Sequence, residues 1–183
     1  MATDGTSTSG TWRPLRVGVC VDLDDNAEVI RGIHRDFALT HGNLVVTAPP
    51  ASSADDLIRT ILITLNVLWR LPAKLRPGGV SLNDEGRAIA EWEISWALSR
   101  VGITSLWVID ADRANLFAWL WLCHTAERED LRLVLHTTTV PDHWQAAALT
   151  GCRVQTISPE QLLNPRNLSL TRRHAGTDTR SRG

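Results

Sequence analysis

A loop of small residues between an apolar run and an acidic helix start is the stretch of this 183-residue chain whose spacing bears most directly on chemistry. Residues 43–60, NLVVTAPPASSADDLIRT, read as a strand (Leu44, Val45, Val46), a loop from Ala48 to Ala54, and a helix opened by Asp55 and Asp56. The phosphate-cradling pattern G-x-x-x-x-G-K-[ST] lies over this stretch without a gap. Ala48 falls on its first glycine, Ser53 on the second, Ala54 on the lysine and Asp55 on the hydroxyl residue. Glycines let backbone N–H groups turn toward phosphate oxygens, and the lysine neutralises their charge. None of these groups is present. A carboxylate at Asp55 would repel a phosphate by about 4 kcal/mol at about 4 Å and an effective dielectric of about 20. ATP hydrolysis is therefore not expected here, and the residues equally describe an ordinary βα turn with a capped helix.

Other chemistries find less support. The six histidines, His34, His41, His124, His136, His143 and His174, show no metal-ligand spacing. His136 at a strand end has catalytic potential, set against the commoner case of a structural histidine. No serine lies in G-x-S-x-G. Cys20, Cys123 and Cys152 are scattered, which reads as reduced, buried thiols. No apolar run approaches the roughly 20 residues of a membrane span, so a soluble, cytoplasmic protein is expected, with no membrane partner. A formal net charge of -1 gives no general attraction to nucleic acid. Eight tryptophans, no tyrosine and a single lysine suggest a GC-rich genome.

The elements that must position these groups alternate. Residues 1–12, of which Met1–Gly10 hold almost nothing to bury, read as a disordered lead, residues 13–165 as one α/β domain, and residues 166–183 as a basic disordered tail. Strands are expected at Leu15–Leu23, Leu44–Val46, Ser105–Asp110, Leu131–Leu135 and Cys152–Ile157. Helices are expected at Ala27–Thr40, Asp56–Leu71, Arg87–Arg100, Leu116–Arg128 and Trp144–Leu149. Residues 72–86 read as the mobile connection, and Gly102 as a helix C-terminal cap. Trp92 and Trp96, four apart, are expected in the core rather than as a stacking platform for bases. The alternation implies a three-layer sandwich around a mostly parallel sheet, with functional groups at the carboxyl ends of its strands.

Three strand ends line up: Val46-Thr47, Val108-Ile109-Asp110 and Val134-Leu135-His136-Thr137. Together with the run LWVIDADRANLFAWLWLCHTAEREDLRLVLHTTT, they resemble AAA-type P-loop ATPases, especially transposition regulators of the TniB, TnsC and IstB kind. The resemblance covers about residues 33–157 and implies Asp110 as the acid that holds Mg²⁺ and Thr137 as a sensor of phosphate. Ala111 stands where the family has the glutamate that activates water. The resemblance therefore implies a pseudo-ATPase without a cofactor, kept for its surfaces and contacting a transposase, a true ATPase or DNA. For the latter, Arg172, Arg173, Arg180 and Arg182 of the tail offer phosphate contacts. On this reading Asp110 faces the 48–55 segment across adjacent parallel strands.

Asp22-Leu23-Asp24, directly after a strand, looks like the first motif of haloacid-dehalogenase-type phosphatases. That resemblance implies Asp22 as nucleophile, Asp24 as general acid/base, Thr47, Lys74, Asp110 and Asp112 as later motif residues, and Mg²⁺ held by Asp22 and Asp110. Acids also cap helices, and Asp25 or Asn26 would do so here.

Overall fold

The computed structural model describes residues 16–37, 42–69 and 83–163. Branched apolar runs form the strands, and runs with helical periodicity form the helices between them. In chain order they are β1 (Arg16–Val21), α1 (Ala27–Phe37), β2 (Asn43–Thr47), α2 (Ala54–Trp69), α3 (Asp84–Val101), β3 (Ser105–Ile109), α4 (Leu116–Arg128), β4 (Arg132–Thr137), α5 (His143–Ala148), β5 (Arg153–Ile157) and α6 (Pro159–Leu163). A single 3-10 turn, Ala111–Arg113, follows β3.

All five strands are parallel, in the order β2-β3-β4-β1-β5. Alternation along each strand sends side chains to opposite faces. Val17, Val19, Leu44, Val46, Leu106, Val108, Leu133 and Leu135 join the larger core under α2, α3, α4 and α5. Cys20, Val45, Trp107, Ile109 and Val134 join a smaller core with Val29 and Ile33 of α1 and Leu162 of α6. The result is an α/β three-layer, Rossmann-like sandwich, as the alternation of elements requires.

Several boundaries differ from expectation for local reasons. α3 begins three residues before Arg87, because the Asn83 side chain accepts the Gly86 N–H at 2.8 Å and caps it. The rest of the expected mobile connection, the expected lead and the basic tail lie outside the described residues. Pro159 both closes β5 and opens α6, as proline's fixed φ suits a first helical turn. The expected core placement of Trp92 and Trp96 is corrected: they are 66% and 42% exposed. Their helix has apolar residues on two faces, and Ala90, Ile94, Ala97 and Leu98 take the inner one.

Gly102 does cap α3, in the left-handed region at φ 75°. Gly42, also left-handed at φ 77°, sits against it, and its carbonyl accepts Thr104 and Ser105 N–H at the start of β3. A Cβ on Gly42 would lie 2.7 Å from the Gly102 carbonyl oxygen, whereas one on Gly102 would meet nothing within 4 Å. Gly102→Ala is therefore expected to cost about 1 kcal/mol, the left-handed penalty alone. Gly42→Ala should cost about 3 kcal/mol, since a backbone clash adds to the same penalty. Urea unfolding of the two variants checks the order, and equal losses would refute it.

Candidate functional site

The strand order fixes where a ligand crevice can form. From β1 the chain crosses β4 and β3 to the β2 edge, steps back through β3 to β4, and then passes β1 to reach β5. Connections leaving β1 and β4 thus run in opposite directions, and the loops beyond their carboxyl ends splay apart. In open α/β sheets that switch point is where ligands bind.

Asp22, straight after β1, and His136, near the end of β4, meet there. Asp110, straight after β3, completes a row across three adjacent strands. All three are buried, at 3%, 1% and 6% exposure. His136 Nε2 lies 3.6 Å from Asp22 Oδ2, and His136 Nδ1 lies 3.9 Å from Asp110 Oδ1. Both separations exceed a hydrogen bond, and both ring nitrogens and Asp110 Oδ1 lack hydrogen-bond partners. The imidazole is thus a buried polar group held between two carboxylates, neither fully satisfied nor open to solvent.

Each acid has a second tie. Asp22 Oδ2 accepts the Asn26 N–H at 2.9 Å, and Asn26 Oδ1 in turn accepts Glu28 N–H at the start of α1. Asp110 adopts the left-handed region (φ 55°, ψ 38°), which aspartate tolerates better than most residues, and pairs with Arg113 at 3.0 Å. Asp112 turns away from this row and accepts hydrogen bonds from Thr138 N–H and from the Thr138 and Thr139 hydroxyls, pinning the loop after β4.

The loop after β2 has its backbone donors occupied. Ala48 N–H donates to the Ile109 carbonyl at 2.8 Å, Ser52 N–H to the Arg113 carbonyl at 3.1 Å, and Ser53 N–H to Asp56 Oδ2 at 2.9 Å. Asp56 N–H returns a bond to the Ser53 hydroxyl at 3.3 Å, so Ser53 and Asp56 cap α2 reciprocally. The Ser53 backbone and hydroxyl donors hold the Asp56 carboxyl below its ordinary range, so the stability it adds is present at neutral pH and is lost as pH falls. Ala48 and Ala54 are buried, and Asp55 pairs with Arg87 of α3 at 3.1 Å.

The sequence candidates are therefore brought together only in part. β2 and β3 are adjacent and parallel, and Asp110 follows β3 next to the loop, but its carboxylate is engaged by Arg113 and lies toward His136. Thr137 is buried, its hydroxyl donating to the Cys20 carbonyl at 3.4 Å rather than standing free in the crevice. Thr47 ends the edge strand β2, three strands from Asp22 and so roughly 14 Å away at the usual strand spacing. Asp24 is exposed. Lys74, Arg172, Arg173, Arg180 and Arg182 lie outside the described residues. Among the described residues no three His, Cys, Asp or Glu side chains are grouped to hold a metal ion. His136 is the residue that sequence reasoning undervalued, and its position at a strand end flanked by two acid-ended strands was the available signal.

Burial and the neighbouring Asp22 push the Cys20 thiol up to about 12. Cys123 and Cys152, far apart in sequence, line one cavity of about 180 Å³ with His124 and Glu127. Burial likewise raises Cys123 to about 12. These are protonated, poorly nucleophilic thiols at neutral pH.

Fold and site together define an all-parallel α/β domain whose switch point carries a buried carboxylate–imidazole–carboxylate row. No family model, characterised protein or solved structure matches the chain.

Proposed function

We propose that the chain is a pseudo-ATPase, an accessory or regulatory domain of a transposon or other mobile element that works by binding a protein partner, such as a transposase or an active ATPase. The observation that carries this reading is the switch point, where buried Asp22 follows β1 and no glycine or lysine stands in residues 22–26; the 48–55 loop is likewise without phosphate-binding groups. Three N–H groups at positions that would face phosphate in a cradle already donate to protein acceptors, and no lysine or glycine stands in the loop. At the switch point Asp22 is buried against the His136 ring and accepts the Asn26 N–H, so its carboxylate stands where a phosphate-binding loop would offer donors. Phe117 and Trp144 are large apolar side chains left exposed, which supports a role in protein association. The resemblance of residues 106–139 to transposition regulators supplies the mobile-element context.

The phosphatase reading is less well supported by the geometry. Asp22 is buried against His136, and Thr47 stands at the far edge of the sheet. Purified protein with Mg²⁺ is expected to turn over neither ATP nor p-nitrophenyl phosphate, and to co-purify with a co-expressed transposase or active ATPase of a mobile element. ATPase activity lost in Asp110→Asn would overturn the proposal. Ester hydrolysis lost in Asp22→Asn would replace it with the phosphatase.

A further inference from the structure

The outer face of α3 carries a stripe that the other described residues leave uncovered. Glu85, Ile89, Trp92, Trp96 and Arg100 recur at intervals of four, three, four and four residues, and all five are exposed. Such spacing keeps side chains on one side of a helix, as in the seam of a two-helix pair. The opposite side, Ala90, Ile94, Ala97 and Leu98, is already in the core, so the stripe is the outward face of the helix.

We propose that this stripe is a homodimer interface, in which α3 of one copy packs antiparallel against α3 of a second copy. The argument for a second copy is the distribution of charge along the helix. Its first turn is acidic (Asp84, Glu85) and its last turn is basic (Arg100). A two-fold axis passing near Trp92 reverses one helix on the other. Ile89 then meets Trp96 of the second copy, Trp92 meets its own counterpart, and Glu85 at each end meets Arg100 of the other chain. A closed two-fold contact of this kind is self-complementary by construction. A parallel pairing would place Glu85 on Glu85 and Arg100 on Arg100, which repel. Arg100 already lies over the Trp96 ring, 5.3 Å from its centroid, so its guanidinium stands at the rim of the apolar patch where the second copy's Glu85 arrives. A contact made by one helix per chain falls at the small end of stable interfaces, so dissociation in the micromolar range is expected.

Sedimentation velocity of the full chain across the micromolar range tests this. Wild type is expected to show a reversible monomer–dimer equilibrium, and Trp92→Glu to remain monomeric. Arg100→Glu and Glu85→Arg each place like charges at both ends of the pair and should weaken association about tenfold. Mixing these two single variants is the decisive arm. In the mixed dimer both ends regain an opposite-charge pair, so association should return to within about threefold of wild type. All substituted side chains are exposed, and an unchanged circular dichroism spectrum and unfolding midpoint establish that each variant folds. A wild type that stays monomeric throughout overturns the proposal. So do single charge reversals that dimerise as tightly as wild type, or a mixture that gains nothing over its components.

Discussion

His136→Leu is expected to lower the unfolding free energy by about 3 kcal/mol, one of the largest single losses available in this domain. Leucine approximates the volume of the ring, so the effect isolates the polar role. Without the imidazole, Asp22 and Asp110 remain buried beyond the ends of β1 and β3, on either side of β4, and both lose the ring that lies between them. Removing one member of a buried polar cluster commonly costs more than the cluster as a whole contributes, because the groups left behind stay desolvated. That asymmetry supplies a sharper check than the single variant. Adding Asp22→Asn and Asp110→Asn to His136→Leu should recover part of the loss. The amide oxygen that replaces the Asp22 carboxylate can still accept the Asn26 N–H, and neither new amide carries charge. Guanidinium unfolding of the three backgrounds measures this coupling. A loss below about 0.5 kcal/mol for His136→Leu, or a triple variant less stable still, would show that the row is not an energetic unit.

How far the sequence discloses this molecule depends on which physical signal is asked for. Element types were legible because periodicity and caps are local. Leu44 to Val46 is too short and too β-branched for a helix, and Gly102 sits where a left-handed residue ends α3 cleanly. Strand order was not legible, because hydropathy along β1 is the same whether β1 neighbours β2 or β4. That gap is why the loop after β2 drew attention as a phosphate site while the topology puts the switch point between β4 and β1. The facing of α3 failed for a related reason. Ile89, Trp92 and Trp96 form one apolar side and Ala90, Ile94, Ala97 and Leu98 another, and spacing alone does not choose between a stripe covered by its own chain and one left outward. Cys123 and Cys152 were read as scattered because a parallel crossover brings distant positions to one cavity.

Trp119→Ala should be at least as damaging as the loss of His136, at about 4 kcal/mol, and for a reason that ties the core to the candidate site. Trp119 of α4 is fully buried, and its indole N–H donates to the Ala111 carbonyl at 2.8 Å. Ala111 opens the 3-10 turn that follows Asp110, and the same turn bonds to the loop after β2 through Arg113 and Ser52. Truncation removes both the apolar contact and the indole donor to that carbonyl, and a domain of this size should melt roughly 10 °C lower. Trp119→Phe separates the two effects. It keeps most of the packing, deletes the donor, and should cost about 1 to 2 kcal/mol. If the hydrogen bond positions the turn, Trp119→Phe will also speed amide exchange at Ser52, whose N–H donates to the Arg113 carbonyl of the turn, and at Asn115, whose N–H donates to the Ser52 carbonyl, while leaving exchange in β1 and β4 nearly unchanged. Uniformly faster exchange across the sheet would instead mean that Trp119 acts only as bulk in the core, and that the placement of Asp110 is fixed by β3 and Arg113 alone.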